Sequence, residues 1–516
     1  MKWTNTTSPK AAWLAVITSS AICGMAGVSS ADTLRDRVDA YRAAHEKEIV
    51  TLLDELVRLP SVAANPQGLK ATAGHLQALL RERGFETKLL SGDASEPPVV
   101  YGELMQSSSL RTVVFYAHYD GQPVTPSEWR SGPFDPVMRE GAVDAAEIQW
   151  RSAPTPFDPD WRFYGRAASD DKASIVAFLT AFDALAAAGL RPAVNVKVFW
   201  EGEEEAGSPH LETTLRDNAA ALASDLWLIG DGPVHQSRRP TLYFGVRGAV
   251  GVEATIYGPL HPLHDGHYGN WAPNPAVLAA ELVSELRDED GGIHIPGFND
   301  AVRPLTAEET AAIAALPSVD ADLRTEFGIG RSEGTESLPA SVMRPALNVR
   351  GLNAGHVGAT ATNAIPAEAA VSIDFRLVPN QTPELVREKV TSYLRSRGWT
   401  VIDKEPDLPT RLASKRLIKL EWSGGYPAYR TDMSTPVAEA AISAAARTAG
   451  GPVAKLPMLG GSVPIYLIAQ VLHASVIGMP IANHDNNQHA ANENLRLQNL
   501  WDGIALNAAM LRELAW

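Results

Sequence analysis

The sequence predicts an α/β fold: a mostly parallel sheet flanked by helices, interrupted by a smaller α+β unit with an antiparallel sheet. Three observations predict it. Short apolar strands alternate with helical segments up to about residue 244, the pattern of a parallel sheet. Between 245 and 408 the strands alternate apolar with polar instead, which suits a half-buried antiparallel sheet. The length of 516 residues exceeds one ordinary core, so two units are expected.

The elements follow in order. Residues 1–31 read as a secretory signal. Lys2 and Lys10 supply a positive start, "AAWLAVITSSAICGMAG" is a short apolar run, and "VSSA" offers a small-residue cleavage site ending at Ala31. The run is too short for a comfortable membrane span, although a retained anchor is the alternative. A secreted, periplasmic protein without membrane attachment after signal removal is therefore expected. Cys23, the single cysteine, lies in this segment, so the mature chain has no thiol chemistry and no disulfide.

Residues 32–244 are expected to form the first part of the larger α/β unit, the one to which the site residues below point. "ADTLRDRVDAYRAAHEKEIVTLLDELVRLPS" carries apolar residues at helical spacing and stops at Pro60. "GLKATAGHLQALLRERGF" is a second helix with a glycine stop at Gly84. "TVVFYAHYDGQP" is a strand entering a turn, "SDDKASIVAFLTAFDALAAAGL" an apolar helix with an acidic start, and "AVNVKVFW" and "ASDLWLIGDG" two more strands. "GPFDPV" and "TPFDPD" are near-copies around a polar, structureless-looking stretch at 138–155. In residues 245–408, "GVEATIYGP" and "EAAVSIDFRLVP" are half-buried strands, and "NPAVLAAELVSELRDE" and "TPELVREKVTSYLRSRG" amphipathic helices. Residues 409–516 return to the larger α/β unit.

The chain is 45% hydrophobic and carries a formal charge of −15. That balance excludes non-specific nucleic-acid binding, which needs a basic face.

Ligands of an α/β sheet gather at the carboxyl ends of its strands. The polar residues at those ends are His118 and Asp120 after "VVFYA", the glutamates of "VFWEGEEEAGSPH", and Asp231 after "LWLIG". Asp170 and Asp171 open a helix, and "NHDNNQHAANE" adds His484, Asp485 and His489. Taken singly each is weak. An Asp pair at a helix start is equally an N-cap, a glutamate run a solvated loop, and Asp-Gly-Pro a turn. Together they crowd carboxylates that could not all ionise without a cation. Imidazoles with carboxylates suit zinc, with manganese or cobalt possible, and two ions sharing a carboxylate can activate a water between them for hydrolysis. Asp120 is placed to fix the His118 tautomer.

The stretches "HYDGQPV", "YGRAASDDKASIVAF", "EGEEEAGS", "IGDGP", "HDGHYGN", "NAIPAEAAVSIDFRLVPNQTPE" and "GGSVPI" resemble, in this order, the co-catalytic zinc peptidase family. That family includes carnosinase, cytosolic non-specific dipeptidase, bacterial glutamate carboxypeptidase, aminoacylase and succinyl-diaminopimelate desuccinylase. The resemblance implies that His118 and Asp231 bind one zinc, Glu205 and His489 the other, and that Asp170 bridges both. It implies that Asp120 supports His118, that Glu204 is the general base, and that the Asp170–Asp171 peptide is cis. It further implies a lid and dimerisation unit whose His264 steadies the oxyanion in the partner subunit's site, with His267 the competing candidate. Arg376, Gly461 and Ser462 match positions that hold a substrate carboxylate, and Asn363 joins them as a substrate-binding candidate. Glu201 and Glu203 receive no role, and Glu203 is expected to be solvated. Ala167 and Ala173 replace customary glycines, "HDG" replaces His-Ser-Gly, and the 138–155 segment is an insertion.

The expected protein is thus a two-metal amide hydrolase acting on small peptides with a free carboxylate, dipeptidase-like or carboxypeptidase-like. An N-acyl amino acid deacylase or desuccinylase on the same site is the alternative, and a non-catalytic peptide-binding relative a more distant one.

Overall fold

The computed structural model describes residues 33–93 and 96–516, so the expected signal segment lies outside the described residues. The long first helical segment is two helices, Leu34–Ala44 and Glu46–Val57, that meet at His45. No helix among the described residues is long and apolar enough to cross a membrane.

Eight strands build the main sheet. At its centre Asn195–Glu201, Thr112–His118, Leu226–Ile229 and Ser475–Gly478 run side by side and parallel. Glu86–Leu90 and Val99–Leu104 add an antiparallel flank, and Thr241–Tyr243 with Ala454–Leu456 closes the other side. Every residue of Asn195–Glu201 and of Leu226–Ile229 is buried, which explains why Leu226–Ile229 reads as an unbroken apolar run and why Asn195–Glu201 is apolar apart from Asn195, Lys197 and Glu201. Helices Ala173–Ala187 and Leu497–Glu513 cover one face with a large apolar core. Leu211–Asp217 and Ile465–Leu472 cover the other.

The second sheet has five strands in the order Ala346–Asn353, Glu368–Leu377, Gly248–Tyr257, Leu417–Tyr426, Thr400–Ile402. All pairs are antiparallel except the last. Val250, Val252, Ala254 and Ile256 pack inward with Leu282, Val386 and Val390 of the two amphipathic helices, while Glu253 faces solvent.

Two expectations are corrected. The inserted unit does not end at 408, because Leu417–Tyr426 pairs along Gly248–Tyr257 and belongs to the second sheet. Its "LIKLEWSGGY" sequence carries the strand signal, with Ile418, Leu420 and Trp422 packed in or against the second core and alternating with Lys419, Glu421 and Ser423. The chain returns where Tyr429–Arg430 pairs with Gly245–Val246, so exit and re-entry lie side by side. The 138–155 segment is not structureless either. Val137–Arg139 and Glu147–Ile148 form a hairpin in a four-stranded sheet with Arg162–Tyr164 and Asn494–Arg496. Strands of two or three residues are too short to show alternation.

Candidate metal centre

Three neighbouring strands of the parallel centre deliver the site. Thr112–His118 ends on His118, Asn195–Glu201 runs into a turn holding Glu204 and Glu205, and Leu226–Ile229 leads to Asp231. Asp170 comes from the turn that opens helix Ala173–Ala187, and the Asp170–Asp171 peptide is cis. His489 arrives from the loop after Ser475–Gly478, with its backbone in the left-handed region at φ 63°.

These six side chains converge. Ligand-type atoms of His118, Glu204 and Asp231 lie within 4.8 Å of one another, as do those of Asp170, Glu205 and His489. Asp170 joins the groups: its Oδ1 lies 3.1 Å from His118 Nε2 and its Oδ2 3.2 Å from His489 Nε2. Glu205 Oε2 lies 3.3 Å from the same His489 nitrogen. Asp120 Oδ1 sits 3.3 Å from His118 Nδ1, and its carboxylate accepts the backbone N–H groups of Glu204 and Glu205 at 3.3 and 3.0 Å. One aspartate thereby sets the histidine ring and the glutamate turn together.

The electrostatics are those of a site short of positive charge. Burial, then repulsion from Asp170, pushes the Glu205 carboxyl up to about 7 and that of Asp231 to about 6. Burial raises Glu204 well above the usual range, with His118 working against the rise and Asp231, Glu205 and Asp170 adding to it. Asp170 is buried, yet its bonds to both histidines hold its carboxyl below the ordinary value. The carboxylates outnumber the two imidazoles, and the mixed nitrogen and oxygen donors fit a pair of divalent cations.

The substrate candidates divide. Arg376 and Ser462 meet, with Arg376 Nη1 donating to Ser462 Oγ at 2.9 Å. Both line a cavity of about 680 Å³ together with Gly461, Glu204, Asp231 and His489. His264 and Asn363 lie elsewhere, His264 in the small ribbon Leu263–His264 with Ala364–Ile365 and Asn363 directly before Ala364. Both are exposed, the Asp265 N–H donates to the Asn363 carbonyl at 3.1 Å, and neither lines that cavity. Asp485 is not with the ligands, because Arg162 holds it at 2.5 Å. Glu203 is buried, not solvated, and accepts from His210 Nδ1 at 2.9 Å.

Neither Glu493 nor Gln122 stands out as a site residue in the sequence. Glu493 is fully buried and accepts the backbone N–H groups of Ala167, Ser169 and Asp170 at 2.9, 2.9 and 3.0 Å, with Arg166 Nη1 at 2.8 Å. Gln122 Nε2 donates to Glu205 Oε2 at 2.7 Å. A lone Glu in a polar run, and a Gln in a turn, have no periodicity to mark them. Ala167, in place of a glycine, holds the left-handed region at φ 61° just before this turn.

Residues 114–513 match Peptidase family M20/M25/M40. The Cys-Gly metallodipeptidase dug1 of Schizosaccharomyces pombe is 26% identical over 94% of this chain and 98% of its own length. The human Beta-Ala-His dipeptidase is 27% identical over 93% of each chain. Among solved structures, the M20 family metallo-carboxypeptidase Sso-CP2 of Sulfolobus solfataricus superposes with a TM-score of 0.73 at 28% identity, over 90% of this chain and 99% of its own. Human carnosine dipeptidase 1, at 23% identity and TM-score 0.72 over 94% and 99%, shares the fold. The converged carboxylate and imidazole groups at the sheet's carboxyl edge and the match along most of the chain have one common reading: this chain belongs to Peptidase family M20/M25/M40 and is a metal-dependent peptidase.

Proposed function

We propose that the protein is a two-zinc exopeptidase that cleaves small peptides bearing a free carboxylate, a dipeptidase first of all. The observation that carries this is Asp170, whose two oxygens face His118 on one side and His489 on the other. His118 and Asp231 would hold one ion, Glu205 and His489 the second, and Asp170 both. When bound, the ions supply Lewis acidity to the scissile carbonyl and to the attacking water. Manganese or cobalt would serve the same donors.

Glu204 is the general base in this reading. It sits beside His118 and Asp231, and its raised affinity for protons suits a group that takes a proton from water and returns it to the leaving amine. The Arg376 guanidinium, beside Ser462 and Gly461, would hold the substrate carboxylate and fix its orientation.

The reading includes a homodimer through the inserted unit, with His264 acting on the partner subunit's oxyanion. What supports it is exposure. His264 is open to solvent near His267, Tyr268 and Trp271, and Trp271 is 79% exposed. A large aromatic so open is the kind of group an interface covers. Export to the periplasm belongs to the same reading and rests on residues 1–31 alone. N-terminal sequencing of the mature chain checks it, with Asp32 the expected first residue.

The test of the whole is elemental analysis followed by chelation and reconstitution, read on dipeptides and on N-acyl amino acids. Two ions per chain, loss of activity on chelation and recovery with zinc are expected, with dipeptides cleaved faster. One ion per chain would dismiss the pairing, and faster deacylation would move the enzyme to the deacylase class.

A further inference from the structure

The cavity beside the metal groups is charged on its floor and apolar on one wall. The floor holds Glu204, Asp231 and His489, and Arg376 is the one Lys or Arg side chain among the described residues lining it. The wall comes from two distant segments. Leu456, Met458 and Leu459 lead directly into Gly461 and Ser462, and Leu338 with Val342 comes from the short helix Leu338–Val342 of the inserted unit.

The two segments are packed against each other and against the site. Met458 is buried with Met343 and Val378, and Val342 packs on the same cluster. A Cβ on Gly232, next to Asp231, would come within 3.0 Å of Leu459 Cδ2, so Leu459 lies over the chain that carries the metal-group aspartate. A Cβ on Gly460 would lie 3.5 Å from Val342 Cγ2. The wall therefore adjoins both the turn that carries Asp231 and the loop that carries Gly461 and Ser462, inside the one cavity.

We propose that this wall selects peptides with a bulky apolar side chain, such as Leu, Phe or Met, against those with charged side chains. The inference rests on the exopeptidase reading above and adds its specificity. Leu338, Val342 and Leu459 are the specificity-determining residues. A charged side chain against them would lose water with no partner on that wall, and Arg376, the one Lys or Arg lining the cavity among the described residues, is taken by the peptide's own carboxylate in this reading. Apolar contact is worth a modest factor per methylene, so the preference should be on the order of tenfold or more between Leu and Asp.

The experiment uses the metal-loaded full chain and compares kcat/KM for Gly-Leu, Gly-Phe, Gly-Asp and Gly-Lys, and for the reversed series. An advantage of about tenfold for Leu and Phe in either series is expected. Leu338→Lys, at a residue 39% exposed, should cut that advantage and raise Gly-Asp or Asp-Gly relative to the leucine peptide. Leu459→Gln should cut it from the other segment. Each ratio is taken within one variant, so partial loss of folded protein cancels. Equal rates across apolar and charged peptides, or a preference unmoved in both variants, overturns the inference while leaving the peptidase reading intact. Cleavage of none of these peptides overturns both.

Discussion

Arg376 Nη1 reaches Ser462 Oγ at 2.9 Å and so ties a strand of the inserted sheet to the loop after the main sheet's last edge strand. The two residues are 86 positions apart and meet at the lining of the cavity. Asp374 orients the same guanidinium through Nε at 2.8 Å. A lysine could place a charge there but not a planar fork. Arg376→Lys is expected to raise KM with metal content unchanged, lowering kcat/KM by on the order of 10-fold to 100-fold. Ser462→Ala removes one hydrogen bond and should cost about 1 kcal/mol in the same measurement. Unchanged KM in Arg376→Lys would remove the carboxylate role.

The neighbours Glu204 and Glu205 should separate cleanly. Glu205 faces His489 and Gln122, whereas Glu204 faces His118 and Asp231. Glu204→Gln is expected to keep most bound metal while kcat falls by about 100-fold to 10,000-fold, the range of general-base removal. Glu205→Gln should lose metal first, seen by elemental analysis after dialysis. The opposite outcome, metal lost in the first variant and kept in the second, would exchange the two roles.

What could be read in advance follows from locality. The strands ending at His118, Glu201 and Ile229 are buried but for Thr112, and the imidazole and carboxylates at or just after their ends stand out against them. Apolar periodicity also marks helix Pro383–Ser396, where Val386, Val390 and Leu394 face inward. Strand Leu417–Tyr426 was legible as well, since Ile418, Leu420 and Trp422 alternate with Lys419, Glu421 and Ser423, and only its Gly-Gly tail departs from the pattern. Glu203 escaped because its partner His210 lies beyond the turn, a contact that no pattern encodes. The wall formed by Leu338 and Leu459 needs two segments more than a hundred positions apart to meet, and neither is periodic.

Asp485 gives a pH dependence distinct from the metal groups. Burial pushes its carboxyl up, but hydrogen bonds from Arg162 and Asn483 prevail and hold it at about 2, below the ordinary 3.8. The unfolded chain then binds the proton more readily, so the pair's contribution is complete above the unfolded value. It is lost as pH falls from about 4 to about 2. With the side chain 27% exposed, solvent screening leaves about 1 kcal/mol. Asp485→Asn should lower thermal stability at neutral pH and flatten the acid limb of the melting curve. A variant whose melting temperature falls with acid as steeply as the parent's would show that Asp485 contributes nothing there.

Glu493 supplies the sharpest test of how the metal groups are held. Its carboxylate accepts from three successive parts of the turn 167–170, from Ser169 Oγ at 2.9 Å and from the buried Arg166. Every partner is a donor, so only a carboxylate satisfies them all. Glutamine would aim its own N–H₂ group at one of these donors and leave Arg166 with no counter-charge. Breaking a buried ion pair from one side costs about 3–5 kcal/mol, enough to lower the melting temperature measurably. The turn that presents Asp170 would lose its template at the same time. Glu493→Gln is therefore expected to weaken metal binding by on the order of 10-fold to 100-fold in a chelator competition, as loss of a supporting partner does elsewhere. Glu493→Asp, which keeps the charge but shortens the reach, should fall between. The decisive comparison is with Arg166→Met, which removes the ion pair but leaves the turn's N–H bonds to Glu493 in place. If Arg166→Met loses as much metal affinity as Glu493→Gln, the effect belongs to the buried charge and not to the template.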